Sequence, residues 1–167
     1  MKDEDEILAA ELRGLGAAGG RAGGALAGLL GARGAAAAGG GGGARGAERA
    51  ARRMRKDVHE IETNVTVPPG EARSLVTGLI QATGRLIEES DDPVIIRGVV
   101  GAGAMNMNPV VLTVTLSPEA SGTTVLVRGA AKEGLIKQRA GEKAARRFTS
   151  MLTGGELPDR LITRPAG

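Results

Sequence analysis

Four stretches of this chain hold side chains of a type that can do chemistry. His59 stands beside Glu60 and Glu62, and the acids Glu88, Glu89, Asp91 and Asp92 fall close together. Glycines recur from Gly98 to Met105, and arginines gather from Arg45 to Lys56. An imidazole beside a carboxylate suits general acid–base work, and grouped carboxylates suit a divalent cation. A glycine-rich loop can cradle phosphate through its backbone N–H groups, and a cationic helix can neutralise the phosphates of a polyanion.

The first three fail on context. His59 opens a stretch with strand alternation, so it and Glu60 point to opposite faces. No second histidine and no cysteine completes a metal set. The acids lack calcium-loop spacing and flank Ser90-Asp91-Asp92-Pro93, where short polar side chains favour a turn. Gly101-Ala102-Gly103-Ala104-Met105-Asn106 places Asn at the third glycine of a dinucleotide fingerprint, and Pro109 with a strand follows where a helix should begin. These glycines are read instead as permitting a curved strand or the close approach of a helix or ligand. A second reading is an apolar loop touching lipid or a partner. No catalytic residue, metal ligand or cofactor site is assigned.

The elements that would position these residues are legible from periodicity. Ile61, Thr63, Val65 and Val67 alternate with Glu60, Glu62, Asn64 and Thr66, which predicts a half-buried strand ended by Pro68-Pro69-Gly70. Ala72, Leu75, Val76, Leu79 and Ile80 recur at helical spacing and stop near Gly84. Strands are predicted over 85–89, 94–100, 110–116 and 123–130, and a long helix over 135–152 with Ile136, Ala140, Ala144, Phe148, Met151 and Leu152 on its buried stripe. Short turns between consecutive strands imply an α+β fold: a two-layer, five-stranded antiparallel sheet in the order β-α-β-β-β-β-α, with both helices on one face. The uncovered face is expected to be polar, carrying Glu60, Glu62, Asn64, Thr66, Thr113, Thr115 and Arg128.

This domain, residues 57–154, follows a tail dominated by glycine and alanine over residues 1–56, and residues 155–167 read as a flexible C-terminal tail. Ile7, Leu8, Leu12 and Leu15 predict a short N-terminal helix behind the acids Asp3–Glu6. The glycines through Gly39–Gly43 supply chain entropy and no side chain to bury, which predicts a disordered, flexible spacer. Residues 47–56 read as a basic helical segment. Residues 1–57 hold ten Lys or Arg against seven acids, whereas the remainder holds twelve of each, so the net charge of +3 resides in the tail. No apolar run approaches the ~20 residues that span a bilayer, and the absence of cysteine suits a reducing compartment, so a cytoplasmic location is expected.

The opening strand with its Thr66-Val67-Pro68-Pro69-Gly70-Glu71-Ala72 exit, and the long closing helix, make residues 58–152 resemble a reduced helix-grip domain. That is the layout of the Bet v 1 and START-related superfamily and of the TATA-binding-protein-like half-fold. The resemblance implies an apolar ligand held between sheet and closing helix. The chain is therefore expected to be a non-enzymatic binding or interaction module for a protein partner or small apolar ligand. A homodimer through the sheet is compatible with this expectation. Val99, Met105, Met107, Phe148 and Met151 are the candidate ligand or partner face. The alternatives are sequence-independent contact with nucleic acid or an anionic surface through Arg49, Arg52, Arg53, Arg55 and Lys56, and a small helix-grip enzyme. Reading single strands by base stacking is excluded, because it needs exposed rings and the only aromatic residue is Phe148.

Overall fold

Alternation along the two central strands fixes the layering. Val110, Leu112, Val114 and Leu116 of β4 (Asn108–Glu119) and Val125, Val127 and Ala131 of β5 (Gly122–Glu133) put one apolar side chain in every second position onto one face. Those residues form the core with Ile96 and Val100 of β3 (Val94–Ala102). The computed structural model describes residues 3–29, 35–102, 108–133 and 138–154. Its five-stranded sheet runs β1-β5-β4-β3-β2, so β1 (Arg55–Val65) and β2 (Gly84–Asp91) are the two edges. The pairs β2·β3, β3·β4 and β4·β5 are antiparallel.

The chain crosses from one edge of the sheet to the other through α3 (Pro69–Thr83). Pro69 stands at its first turn, where a missing N–H costs nothing. Ala72, Val76, Leu79 and Ile80 are buried on the sheet, while Leu75, expected on the same face, is 45% exposed. The second covering helix is α4 (Ala140–Leu152), which buries Ala144, Ala145, Phe148 and Met151. It begins later than periodicity predicts, and Ile136, assigned to its buried stripe, lies outside the described residues. Its first turn is met by carboxylates: the Ala140 N–H donates to Glu133 Oε1 at 2.9 Å and the Gly141 N–H to Asp57 Oδ2 at 3.0 Å. Both acids satisfy donors that a helix start leaves without internal partners.

Two glycines let these helices approach. A Cβ on Gly98 would run into the Ile80 side chain of α3, and one on Gly129 would run into the backbone oxygen of Gly141 at the start of α4. The close approach expected of the glycines in β3 is thus made by a helix at Gly98.

The other face of the sheet corrects an expectation. It carries Glu60, Glu62 and Asn64 along β1, but its centre is aliphatic: Val99, Val111 and Ala130 are register partners, and all three are buried. Ile95 and Leu126 flank Thr115 in the same way. Thr113, expected on a polar surface, is buried. The continuous runs Val94-Ile95-Ile96, Val99-Val100 and Val110-Val111 carry apolar side chains on both faces.

Residues Met1–Arg55 form a separate compact unit. Where composition predicts a spacer, it contains α1 (Glu4–Leu29) and α2 (Ala35–Arg53), packed against one another. The physical reason is close backbone approach. A Cβ on Gly16 would lie 2.5 Å from both the Gly43 oxygen and the Ala47 Cβ, and Gly43 meets the Gly16 backbone in the same way. Glycine costs each helix about 1 kcal/mol relative to alanine but brings the two main chains into contact. The basic segment is divided as well: helix ends at Arg53, and Arg55 and Lys56 are exposed residues of β1.

Candidate functional site: a cavity under the closing helix

Beyond the glycine contacts, α3, α4 and the sheet do not close completely. Ala82 and Thr83 end α3, Val100 and Gly101 end β3, Leu112 comes from β4, and Ala144, Arg147, Phe148 and Met151 come from α4. Together they line a cavity of about 180 Å³ that opens to the surface. Small residues on both helices and on β3 make the space, since Ala82, Ala144 and Gly101 present nothing longer than a methyl group. Phe148, 1% exposed, supplies its floor.

Most of the lining side chains are apolar, with the Thr83 hydroxyl and the Arg147 guanidinium among them. The Thr83 hydroxyl donates to the Leu79 carbonyl at 2.7 Å, so its proton is already committed. Arg147 is exposed, is the one charged residue of the lining, and has no ion pair among the described residues. Its neighbours on α4 differ. Arg146 donates to Glu142 Oε1 at 3.1 Å, and Arg139 stands 3.7 Å from Glu142 Oε2. The Arg146 hydrogen bond holds the Glu142 carboxyl below the ordinary carboxylate range, against a smaller opposing effect of burial.

Of the five residues proposed for the ligand face, Phe148 and Met151 line this cavity. Val99 does not: strand alternation turns it to the opposite face, and its neighbour Val100 takes the place assigned to it. Met105 and Met107 lie outside the described residues. Sequence reading missed Ala82, Thr83, Leu112, Ala144 and Arg147 as site residues. Ala144 and Phe148 at (i, i+4) on one stripe, with Arg147 at its edge, were the available signal.

The acidic turn is organised by arginines. Arg73 of α3 donates to Glu89 Oε2 at 2.7 Å and pairs with Asp91 at 2.5 Å, while the Thr77 hydroxyl reaches Glu89 Oε1 at 3.0 Å. The Arg73 hydrogen bond holds Glu89 below the ordinary carboxylate range, partial burial opposes this, and Thr77 assists. Arg73 is raised by the same two acids. On the other face Glu88, Arg97, Thr113 and Arg128 are successive register partners from β2 to β5. Arg97 donates to Glu88 at 2.8 Å and to Thr113 at 3.0 Å, and Arg128 donates to Glu60 at 2.6 Å. Glu60, Glu88, Glu89 and Asp91, which looked available for chemistry, are thus bonded to arginines. Among the described residues no group of His, Cys, Asp and Glu is arranged to hold a metal, and His59 is half-buried on β1.

In the N-terminal unit the five basic candidates separate. Arg52 donates to Glu48 at 3.1 Å, and Arg13 of α1 reaches the same carboxylate at 3.3 Å. Arg49 and Arg53, with Arg45, recur every four residues along α2 and are exposed. They therefore share a face. Among the described residues no helix is long and apolar enough to cross a membrane.

No family model and no curated protein matches the chain. Solved structures similar to it include a protein from Chromobacterium violaceum, at 10% identity over 62% of this chain and 99% of that one, with a TM-score of 0.37. Ara h 8.0201 aligns at 11% identity over 59% and 94%, with a TM-score of 0.34. A polyketide-cyclase-like protein from Corynebacterium glutamicum aligns at 12% identity over 60% and 85%, with a TM-score of 0.27. What the cavity can hold is decided by its own residues.

Proposed function

We propose that the α+β domain binds a small, largely apolar ligand in the cavity under α4 and acts as a carrier or sensor of it, without turning it over. The observation behind this reading is the cavity itself: about 180 Å³ of space at the boundary of an otherwise closed aliphatic core. Interiors pack densely, and a dry cavity of roughly 150 Å³ already accepts a benzene-sized guest. The lining supplies apolar surface, a committed hydroxyl and a guanidinium, with no carboxylate, imidazole or thiol among its described residues. Among its described residues it has the means to hold a ligand and no general base to activate one.

Methyl NMR of the full chain labelled at its methionines tests this, with 1-octanol as the probe. The expected result is a saturable shift of the Met151 methyl at one equivalent. No methyl responding, or only unsaturable drift of all of them, would remove the reading.

A separate observation favours a second role, for the N-terminal unit. Arg45, Arg49 and Arg53 form an exposed cationic stripe on α2 without ion pairs among the described residues. We propose that this stripe makes sequence-independent contact with nucleic acid. Replacing all three by Gln is expected to lower the slope of log affinity against log salt, on random-sequence duplex DNA, by about three. An unchanged slope would exclude these residues.

A further inference from the structure

We infer that the ligand of the α4 cavity carries a single negative charge, and that Arg147 receives it. The inference rests on the apolar-ligand reading and adds the chemical class: a short-chain monoanion, best matched by a carboxylate on an aliphatic tail. Three observations combine. Arg147 is the one charged residue among the described lining of a cavity whose other side chains are apolar except for the Thr83 hydroxyl. It is exposed, so the charged group lies where water reaches it, while Phe148 behind it is 1% exposed. It also has no ion pair among the described residues, whereas Arg139 and Arg146 on the same helix are both drawn to Glu142.

This polarity suits one orientation of guest. An aliphatic tail enters the buried end, where removing it from water is favourable, and the head stays at the mouth without being stripped of solvent. A guanidinium presents a planar fork that matches a carboxylate, and one guanidinium balances one charge. A doubly charged phosphate would leave half its charge unmatched, because the neighbouring Arg146 is already bonded to Glu142.

The test compares octanoate with 1-octanol, two guests of equal chain length, by isothermal titration of the full chain at low and high salt. Octanoate is expected to bind about five-fold more tightly at low salt, with the preference shrinking as salt rises, as for an ion pair at a solvated edge. Arg147→Gln is expected to remove most of that preference, and Arg147→Lys to keep part of it. Arg146→Gln, which changes net charge equally next door, is expected to leave the preference intact. Circular dichroism confirms that each variant is folded. Octanol binding as tightly as octanoate, or the preference falling equally in the Arg146 and Arg147 variants, would overturn this inference and leave the apolar-ligand reading standing. Failure of both guests to bind would overturn both.

Discussion

The two units of this chain use the same residue for different ends. In the N-terminal unit glycine faces glycine: Gly16 and Gly43 meet backbone to backbone, so the contact is made by main chains and leaves few large side chains to bury. In the α+β domain, Gly98 and Gly129 lie beneath helices that carry full aliphatic faces, and each glycine brings a helix onto the sheet at one point. The first arrangement buries Ile7 and Leu8, but its closest described helix contact is made by main chains. The second surrounds its close contacts with a core of Val, Ile, Leu and Phe148, and beyond those contacts the small residues Ala82, Gly101 and Ala144 leave a cavity. Glycine content alone thus says little about function; what stands opposite the glycine decides.

The largest expected effect comes from deleting the ring at the centre of the α+β domain's core. Phe148→Ala should cost about 3–5 kcal/mol in urea denaturation, since it removes the largest fully buried side chain. A loss under about 1 kcal/mol would mean that the domain is not organised around this ring. Gly129→Val comes next, at about 1–3 kcal/mol or more, because its new atoms meet the Gly141 backbone, which has no rotamer to escape into. Gly98→Ala should cost less than Gly129→Val, as it meets the Ile80 side chain, which can shift.

The N-terminal unit gives a paired test. Gly16→Val should speed amide exchange across α1 and α2 by at least about ten-fold, whereas Gly19→Ala should slow it. Nothing lies within 4 Å of a Cβ at Gly19, and alanine favours helix by about 0.5–1 kcal/mol. Equal responses at the two positions would break the contrast between contacting and idle glycines.

The smallest effect concerns pH. Glu89 is held below its ordinary range chiefly by Arg73, so its contribution is complete above the unfolded glutamate pKa of about 4.3 and is lost as pH falls through the lower folded value. Stability of the wild type should therefore decline slightly below that pH, and Arg73→Gln should flatten this part of the curve. A variant curve parallel to that of the wild type would show that the pair contributes nothing measurable.

The α+β order was legible because its signals are local. Alternation marked β1 and β4, helical spacing marked α3, and proline with acids marked the turn before Val94. The two-sided burial of β3 and β4 was written in their continuous apolar runs, yet the alternating residues of β1 suggested a polar open face. The start of α1 and the basic end of α2 were legible, from Ile7, Leu8, Leu12 and Leu15 and from residues 47–53, but the helix through the glycines was not, because helix propensity counts each glycine as a cost and cannot see a partner glycine on another helix. Two of the nine described lining residues were named from the sequence. Phe148 and Met151 follow from one stripe, but assigning Val99 where Val100 lies is a one-residue error, and in a strand one residue means the opposite face. Arg147 was out of reach, since only the fold shows that its neighbours Arg139 and Arg146 are committed to Glu142.

The central claim is that the space beside Ala144 is where a ligand sits. Ala144→Leu places an isobutyl group in the cavity without disturbing charge, and filling space at a buried edge should leave thermal stability equal to that of the wild type or above it. Calorimetric titration of this variant with 1-octanol is the direct measurement. The account predicts affinity at least about ten-fold weaker than in the wild type, with the fold intact. Wild-type affinity in a folded Ala144→Leu protein would contradict it.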